Sequence, residues 1–355
     1  MKNILILLLI LHSISTYPQL PVFWEPRGIG GGGALFSPAI NPLNPEEYYL
    51  ACDMCELFHT TNFGLSYDQV NFDEMQAFNT SKVWFTQTTG LLYCINSWTG
   101  LPQVAKSVDN GLTWQNVAGM MEWEEVYSLF VDYHYLEMLV TNFWSSILFS
   151  NNGGDTFTTI HETSIDPRAH LAGVFFDYPD IFIGLNEGLL VSHDGGNSFD
   201  FEDIEGKDAG QGFYSFAGAK ENDTIRLTGT TANINEFWNG MPPTEFWETI
   251  EQVYRLDYGF GNWINVCETI NWGVDFPMLI VMPENDIRTA YIGDSSDMEF
   301  PTVLKTVDGG LNWNHCFLTE NNQNKNREYI KSKLPGYEFN CRLEQDFILP
   351  PTHSN

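Results

Sequence analysis

The sequence predicts an all-β protein, a single β-propeller of seven four-stranded blades, and three observations carry that prediction. An eight-residue motif recurs five times, most copies are spaced by about one blade, and strand-like apolar stretches precede most of them.

The motif reads Ser/Thr-x-Asp/Asn-x-Gly-x-polar-aromatic. Ser107 to Trp114 (SVDNGLTW), Ser192 to Phe199 (SHDGGNSF) and Thr306 to Trp313 (TVDGGLNW) keep the acid, and Thr60 to Tyr67 and Ser150 to Phe157 carry Asn in its place. Each conserved chemistry suits a tight hairpin. The carboxylate or amide of Asn62, Asp109, Asn152, Asp194 and Asp308 accepts bonds from turn amides. Gly64, Gly111, Gly154, Gly196 and Gly310 supply a backbone with positive φ. The closing aromatic anchors the next strand in the core. Before the turns, Ser146 to Phe149 and Gly188 to Val191 are rich in β-favouring residues.

The octets begin at residues 60, 107, 150, 192 and 306, so successive starts lie 47, 43, 42 and 114 residues apart. Propeller repeats run about 40 to 50 residues. The long step therefore holds two blades and an insertion, with a sixth turn near Tyr258 that keeps a glycine and an aromatic without the full motif. The propeller is expected over 16–320, with an aromatic-rich insertion at 233–275. The segment 321–355, rich in Asn and Lys at its start, reads as a closing strand, a linker or a continuation. The two chain ends together would build the seventh blade and remove the exposed sheet edges.

Compartment and partners follow from composition. Lys2, the apolar run Ile4 to Leu11 and the small residues Ser13 and Ser15 read as a signal peptide over 1–15, so an extracellular or periplasmic protein is expected. The apolar run is shorter than the about 20 residues a spanning helix needs, so no membrane insertion is expected. Sixteen basic residues against 46 acidic ones give a net charge of −30, which argues against nucleic acid and anionic lipid as partners. A neutral polysaccharide or an extracellular protein meets no such repulsion. A monomer is expected. Six cysteines permit disulfides in an exported chain, but their spacing does not pair them. Cys52 and Cys55 have redox-motif spacing without the βαβ pattern that usually surrounds it. No residue set suggests a metal site or any cofactor, and no loop matches an EF-type calcium motif.

The octets resemble Asp boxes, the turns of sialidases, sortilin-type receptors and xyloglucanase-type glycoside hydrolases. The N-terminal segment narrows the resemblance. The glycine run Gly30 to Gly33, followed by Ala34 to Pro42 and by Tyr48 to Asp53, is similar to the opening of the xyloglucanase-type enzymes. That resemblance implies a catalytic carboxylate at Asp53. Cys52 stands where the family has Thr, and Met54, Cys55 and Glu56 replace its x-Gly-Gly. Those enzymes also place two propellers across a cleft, each contributing one acid, and this chain has room for one. Glycoside hydrolysis generally needs two carboxyl groups, about 5 to 5.5 Å apart for retention or about 6.5 to 9.5 Å for inversion. Asp208, in the loop Lys207 to Phe213, is the best internal partner. A sialidase is not expected, because Arg27 is followed by Gly28 and Ile29 rather than Ile-Pro, and the seven arginines share no common context.

Aromatic residues make up 15% of the chain. On loops they stack against sugar rings. Trp238 and Trp247 in the insertion are the first candidates for substrate binding, with Trp144 and Trp98 as further ones. Two functions remain open on these residues: a glycoside-hydrolase-like propeller acting on or binding an extracellular polysaccharide, and a non-catalytic propeller that binds protein or glycan.

Overall fold

The structure, a computed structural model, describes residues 34–97, 101–120, 126–134, 138–163, 169–237, 250–273, 275–296 and 300–317. The expected signal peptide, Trp98, Trp238, Trp247 and the segment 321–355 lie outside the described residues.

Six four-stranded sheets follow one another along the chain, each an antiparallel meander with its strands in sequence order. Blade 1 comprises β1 (Leu35–Asn41), β2 (Asn44–Cys52), β3 (Leu57–Thr60) and β4 (Asp68–Gln69). Blade 2 comprises β5 (Trp84–Phe85), β6 (Leu92–Asn96), β7 (Gln103–Ser107) and β8 (Gln115–Asn116). Blade 3 runs through β9 (Val126–Val131), β10 (Leu139–Phe143), β11 (Ser146–Ser150) and β12 (Thr158–Glu162). Blade 4 follows as β13 (Leu171–Asp177), β14 (Asp180–Leu185), β15 (Gly188–Ser192) and β16 (Asp200–Glu202). Blade 5 is β17 (Gln211–Glu221), β18 (Thr224–Asn233), β19 (Ile250–Asp257) and β20 (Ile264–Asn265). Blade 6 is β21 (Pro277–Val281), β22 (Ala290–Ser296), β23 (Phe300–Thr306) and β24 (Asn314–Phe317).

Burial explains why the middle strands read as continuous apolar runs rather than alternating ones. Blades stack face to face, so both sides of a middle strand are covered: every residue of β6 is buried, and five of the six in β14. The outermost strands β4 and β8 are exposed and polar. Cores form between blades. Tyr49 and Ala51 of blade 1 pack with Leu92, Cys94 and Trp114 of blade 2, and Ile147 and Phe149 of blade 3 with Ile181 and Ile183 of blade 4. Each such side chain contributes roughly 1.5–3 kcal/mol when fully buried.

The five octets are hairpins joining the third and fourth strands of blades 1, 2, 3, 4 and 6. In every copy the acid or amide oxygen accepts the backbone N–H four residues on, at 2.9–3.0 Å. The five glycines have φ of 75° to 88°. The preceding residue is left-handed as well: Phe63, Asn110, Gly153, Gly195 and Gly309 have φ of 58° to 73°. Two successive left-handed residues match the right-handed twist of the flanking strands. The opening Ser or Thr, to which the sequence reading gave no task, closes the turn. Its hydroxyl accepts the glycine N–H at 2.8–3.1 Å and donates to the acid or amide oxygen at 2.8–3.0 Å. Hydrogen bonds from the Ser198 hydroxyl and backbone hold the Asp194 carboxyl down to about 2. Trp114 and Trp313 are buried anchors, their indole N–H groups donating to backbone carbonyls at 3.1 and 2.9 Å.

Two expectations need correction. Among the described residues the blades number six, where seven were expected. The seventh was assigned to a strand pairing of the two chain ends, but the first octet at Thr60 already closes a complete blade beginning at Leu35, and Phe317 ends another complete blade. Neither blade has a vacant strand position for the opposite end to fill. The insertion is also narrower than 233–275. Within that range β19 and β20 are ordinary strands of blade 5, with the sixth turn at Tyr258 between them. Phe237, Tyr254 and Trp263 are therefore buried core residues rather than surface aromatics.

Strand alternation divides the turns between two faces. Hairpins joining first to second and third to fourth strands emerge on one, the octet face. Turns joining second to third strands, and the links from one blade to the next, emerge on the other, the link face.

Candidate functional site

Trp144 lies between β10 and β11, on the link face, whereas Trp98, Trp238 and Trp247 lie outside the described residues. Asp53 lies between β2 and β3, and Asp208 in the link from β16 to β17, so the two carboxylates share this face as well. Its described part consists of Asp53, Trp144 and Asp208 with their surroundings.

Asp53 is exposed and caps the start of the first strand. Its Oδ1 accepts the Ala34 N–H at 3.0 Å and the Cys52 thiol at 3.6 Å, while its own N–H donates to the Ala34 carbonyl at 3.2 Å. Three residues on, Glu56 is half-buried, and its Oε2 is enclosed without a hydrogen-bond partner.

Asp208 is exposed on the link between blades 4 and 5. Its N–H donates to the Tyr254 hydroxyl at 3.4 Å and its carbonyl accepts the Gln211 N–H at 3.0 Å. Burial comes first among the causes that raise the Tyr254 hydroxyl above its usual range. Asp53 and Asp208 stand on non-neighbouring parts of the fold and share no hydrogen-bond partner. The arrangement is that of two separate turn carboxylates, not of a coupled acid and base.

Trp144 stands out on this face. Its side chain is 44% exposed and its backbone is left-handed, with φ of 50°. A bulky residue in that conformation costs of order 1–2 kcal/mol, a strain that clusters at functional positions. The neighbouring structure fixes the turn. The Trp144 carbonyl accepts the Ala169 N–H at 3.0 Å, and Asn142 spans from the Ser128 N–H and hydroxyl, at 2.9 and 2.8 Å, to the Ala169 carbonyl at 3.1 Å. Nearby, His170 bonds the Tyr214 carbonyl at 2.7 Å and packs against the rings of Tyr214 and Phe237. The sequence held a signal for Trp144 as a loop aromatic but none for its backbone.

The octet face is different. His193 sits between two carboxylates, Asp180 at 2.8 Å and Glu202 at 3.1 Å, and the Tyr258 hydroxyl of blade 5 reaches Glu202 at 2.8 and 2.9 Å. The hydrogen bond to Asp180 and then that to Glu202 raise the His193 imidazolium above its usual range. His134 of blade 3 meets Glu284 of blade 6 at 3.7 Å, an ion pair between blades that are not consecutive in the chain. A cleft of about 380 Å³ between blades 3 and 4 is lined by Phe149, Asn151, Thr158, Thr159, Asn197 and Phe199 among others. No titratable side chain lines it, so it offers no acid–base chemistry. Among the described residues no group of three or more His, Cys, Asp or Glu side chains is placed to hold a metal ion. No described helix is long and apolar enough to cross a membrane.

No protein-family model matches the sequence, and no curated protein matches it either. Solved structures do resemble it. An ancestral GH74 enzyme superposes with a TM-score of 0.60 at 17% identity, covering 82% of this chain and 39% of the enzyme. The GH74 xyloglucanase of Xanthomonas campestris gives 0.58 at 14%, covering 82% and 46%. A GH74 enzyme of Niastella koreensis gives 0.56 at 16%, covering 80% and 45%. The fold is a β-propeller like those these enzymes contain. At these identities the likeness is one of fold, and the chain spans less than half the length of each of these enzymes.

Proposed function

We propose that this chain is an exported glycoside-hydrolase-like propeller, its octets serving as Asp boxes, that binds a neutral extracellular polysaccharide on its link face. The observation that carries this reading is Trp144, an exposed indole held in a strained backbone on the face that bears Asp53. A rigid indole presents an apolar surface to the flat side of a sugar ring at little entropic cost. The likeness to a xyloglucanase propeller makes a β-glucan of the xyloglucan kind the first ligand to try. A net charge of −30 favours an uncharged polymer over an anionic one.

Binding is preferred to hydrolysis because Asp53 is engaged as a strand cap. Affinity electrophoresis in gels containing xyloglucan tests the reading: the native chain should be retarded, and Trp144→Ala should migrate as in the polymer-free gel. Equal retardation of both proteins removes Trp144 from the site, and no retardation of the native chain sinks the polysaccharide reading. Reducing ends released from xyloglucan by the native chain and lost in Asp53→Asn would instead establish catalysis.

A further inference from the structure

Cys52 and Cys55 end the tight turn that carries Asp53. The Cys55 N–H donates to the Cys52 carbonyl at 3.2 Å, and the Cys52 N–H to the Glu56 carbonyl at 2.9 Å, so the two cysteines are the first and fourth residues of a β-turn closing a paired hairpin. The ends of a β-turn lie within about 7 Å of one another. A disulfide takes Cα atoms about 4.4–6.8 Å apart. The Cys52 sulfur is folded back over the turn, where its Sγ accepts the Met54 N–H at 3.5 Å and its thiol points to Asp53 Oδ1 at 3.6 Å. Cys55 has φ of 74°, a conformation in which glycine would be unstrained. A cysteine there carries a backbone cost that its side chain must justify. Both residues are thiols in the structure, Cys52 buried and Cys55 half-buried.

We infer that Cys52 and Cys55 form a redox-closable pair whose intraturn disulfide locks the hairpin bearing Asp53. The oxidant is a small-molecule disulfide of the glutathione class. Cys55, the more accessible of the two, loses its proton and its thiolate attacks one sulfur of that disulfide, expelling one thiolate and leaving a mixed disulfide. The Cys52 sulfur then gives up its proton and attacks the Cys55 sulfur, expelling the second thiolate. Two protein thiols are oxidised by two electrons, one small disulfide is reduced to two thiols, and the two released protons go to the expelled thiolates. Closure deprives Asp53 of its thiol donor and leaves it the Ala34 N–H, so the oxidation state of the turn alters the surroundings of this carboxylate. Burial first, partly offset by the Met54 N–H, raises the Cys52 thiol above its usual range, which agrees with its acting as the resolving rather than the attacking sulfur.

The inference stands apart from polysaccharide binding, and its test needs no ligand. The full chain is equilibrated with oxidised or reduced glutathione, alkylated with iodoacetamide, digested and mapped by mass spectrometry. In the oxidised sample the peptide holding both cysteines should be about 2 Da lighter than its reduced form and carry no alkyl group. In the reduced sample it should carry two. Cys55→Ser, a half-buried site that keeps the fold by circular dichroism, should abolish closure and leave either an alkylated Cys52 or its mixed disulfide with glutathione. Double alkylation of the peptide after oxidation overturns the inference. So does a linkage from either cysteine to Cys94, Cys267, Cys316 or Cys341.

Discussion

Ser107→Ala should destabilise the second blade by about 1–3 kcal/mol, although it removes one oxygen from a surface turn. The Ser107 hydroxyl accepts the buried Gly111 N–H at 2.8 Å and donates to Asp109 Oδ1 at 2.8 Å. Alanine takes both away. Asp109 is half-buried and keeps the Thr113 N–H and hydroxyl as donors, so its loss is small. The Gly111 N–H is buried, no water reaches it, and an unsatisfied buried amide costs roughly 1–3 kcal/mol. Ser107→Thr is the control, because Thr60 and Thr306 make the same pair of bonds in their own turns, at 3.0 and 3.1 Å and at 2.8 and 2.9 Å. Urea unfolding followed by tryptophan fluorescence reads the change, since Trp114 in the same turn is buried when folded. An alanine variant within about 0.5 kcal/mol of the native protein, or a threonine variant as unstable as the alanine one, would refute the assignment of the hydroxyl as the turn's closing acceptor.

Two further consequences concern the octet face. Gly196→Ala should cost about 2–4 kcal/mol, because φ is 88° and the added methyl would meet the Phe149 ring of the neighbouring blade; calorimetry should show a lowered Tm, and an unchanged one would mean that this ring moves freely. His193 faces Asp180, Glu202 and Tyr258, and its imidazolium is raised, so its contribution to stability is complete below the unfolded value of about 6.5 and is lost as pH rises through the higher folded value. Because His193 is more than half exposed, the contribution is at most about 1 kcal/mol. His193→Gln should flatten the fall in stability between roughly pH 6 and 8, and an unaltered slope would place the linkage elsewhere.

Five hairpins were legible in the sequence because the octet is a local device: its acid, glycine and aromatic act within eight residues. The sixth, at Tyr258, was legible only from spacing: Asp257 and Gly259 keep the acid-to-glycine step, but Arg255 stands where the octet opens with Ser or Thr. Blade number was not legible, because it depends on where each blade starts, and the first strand at Leu35 carries no motif to mark that start. The opening hydroxyl was visible in the pattern, yet its partner is a backbone N–H, and backbone atoms leave no trace in composition. Residues that meet across blades, such as His193 with Tyr258 or His134 with Glu284, were invisible for a different reason. They lie 65 and 150 residues apart and follow no period. At the candidate site the sequence supplied Asp53 and Trp144 as residue types, but the strand cap and the left-handed indole are properties of the folded turn.

Each described blade is drawn from one uninterrupted stretch of chain, with no strand borrowed from elsewhere in the sequence. A gene encoding such a protein can gain or lose a blade by a single in-frame duplication or deletion whose ends fall in the links, with no other segment needing a compensating change. The same modularity bears on synthesis: a blade can pair its strands as soon as it leaves the ribosome, before its successor has been made. At the outer edges of blades 1 and 2 the strands β4 and β8 are two polar, exposed residues each, poor templates for association with another nascent chain.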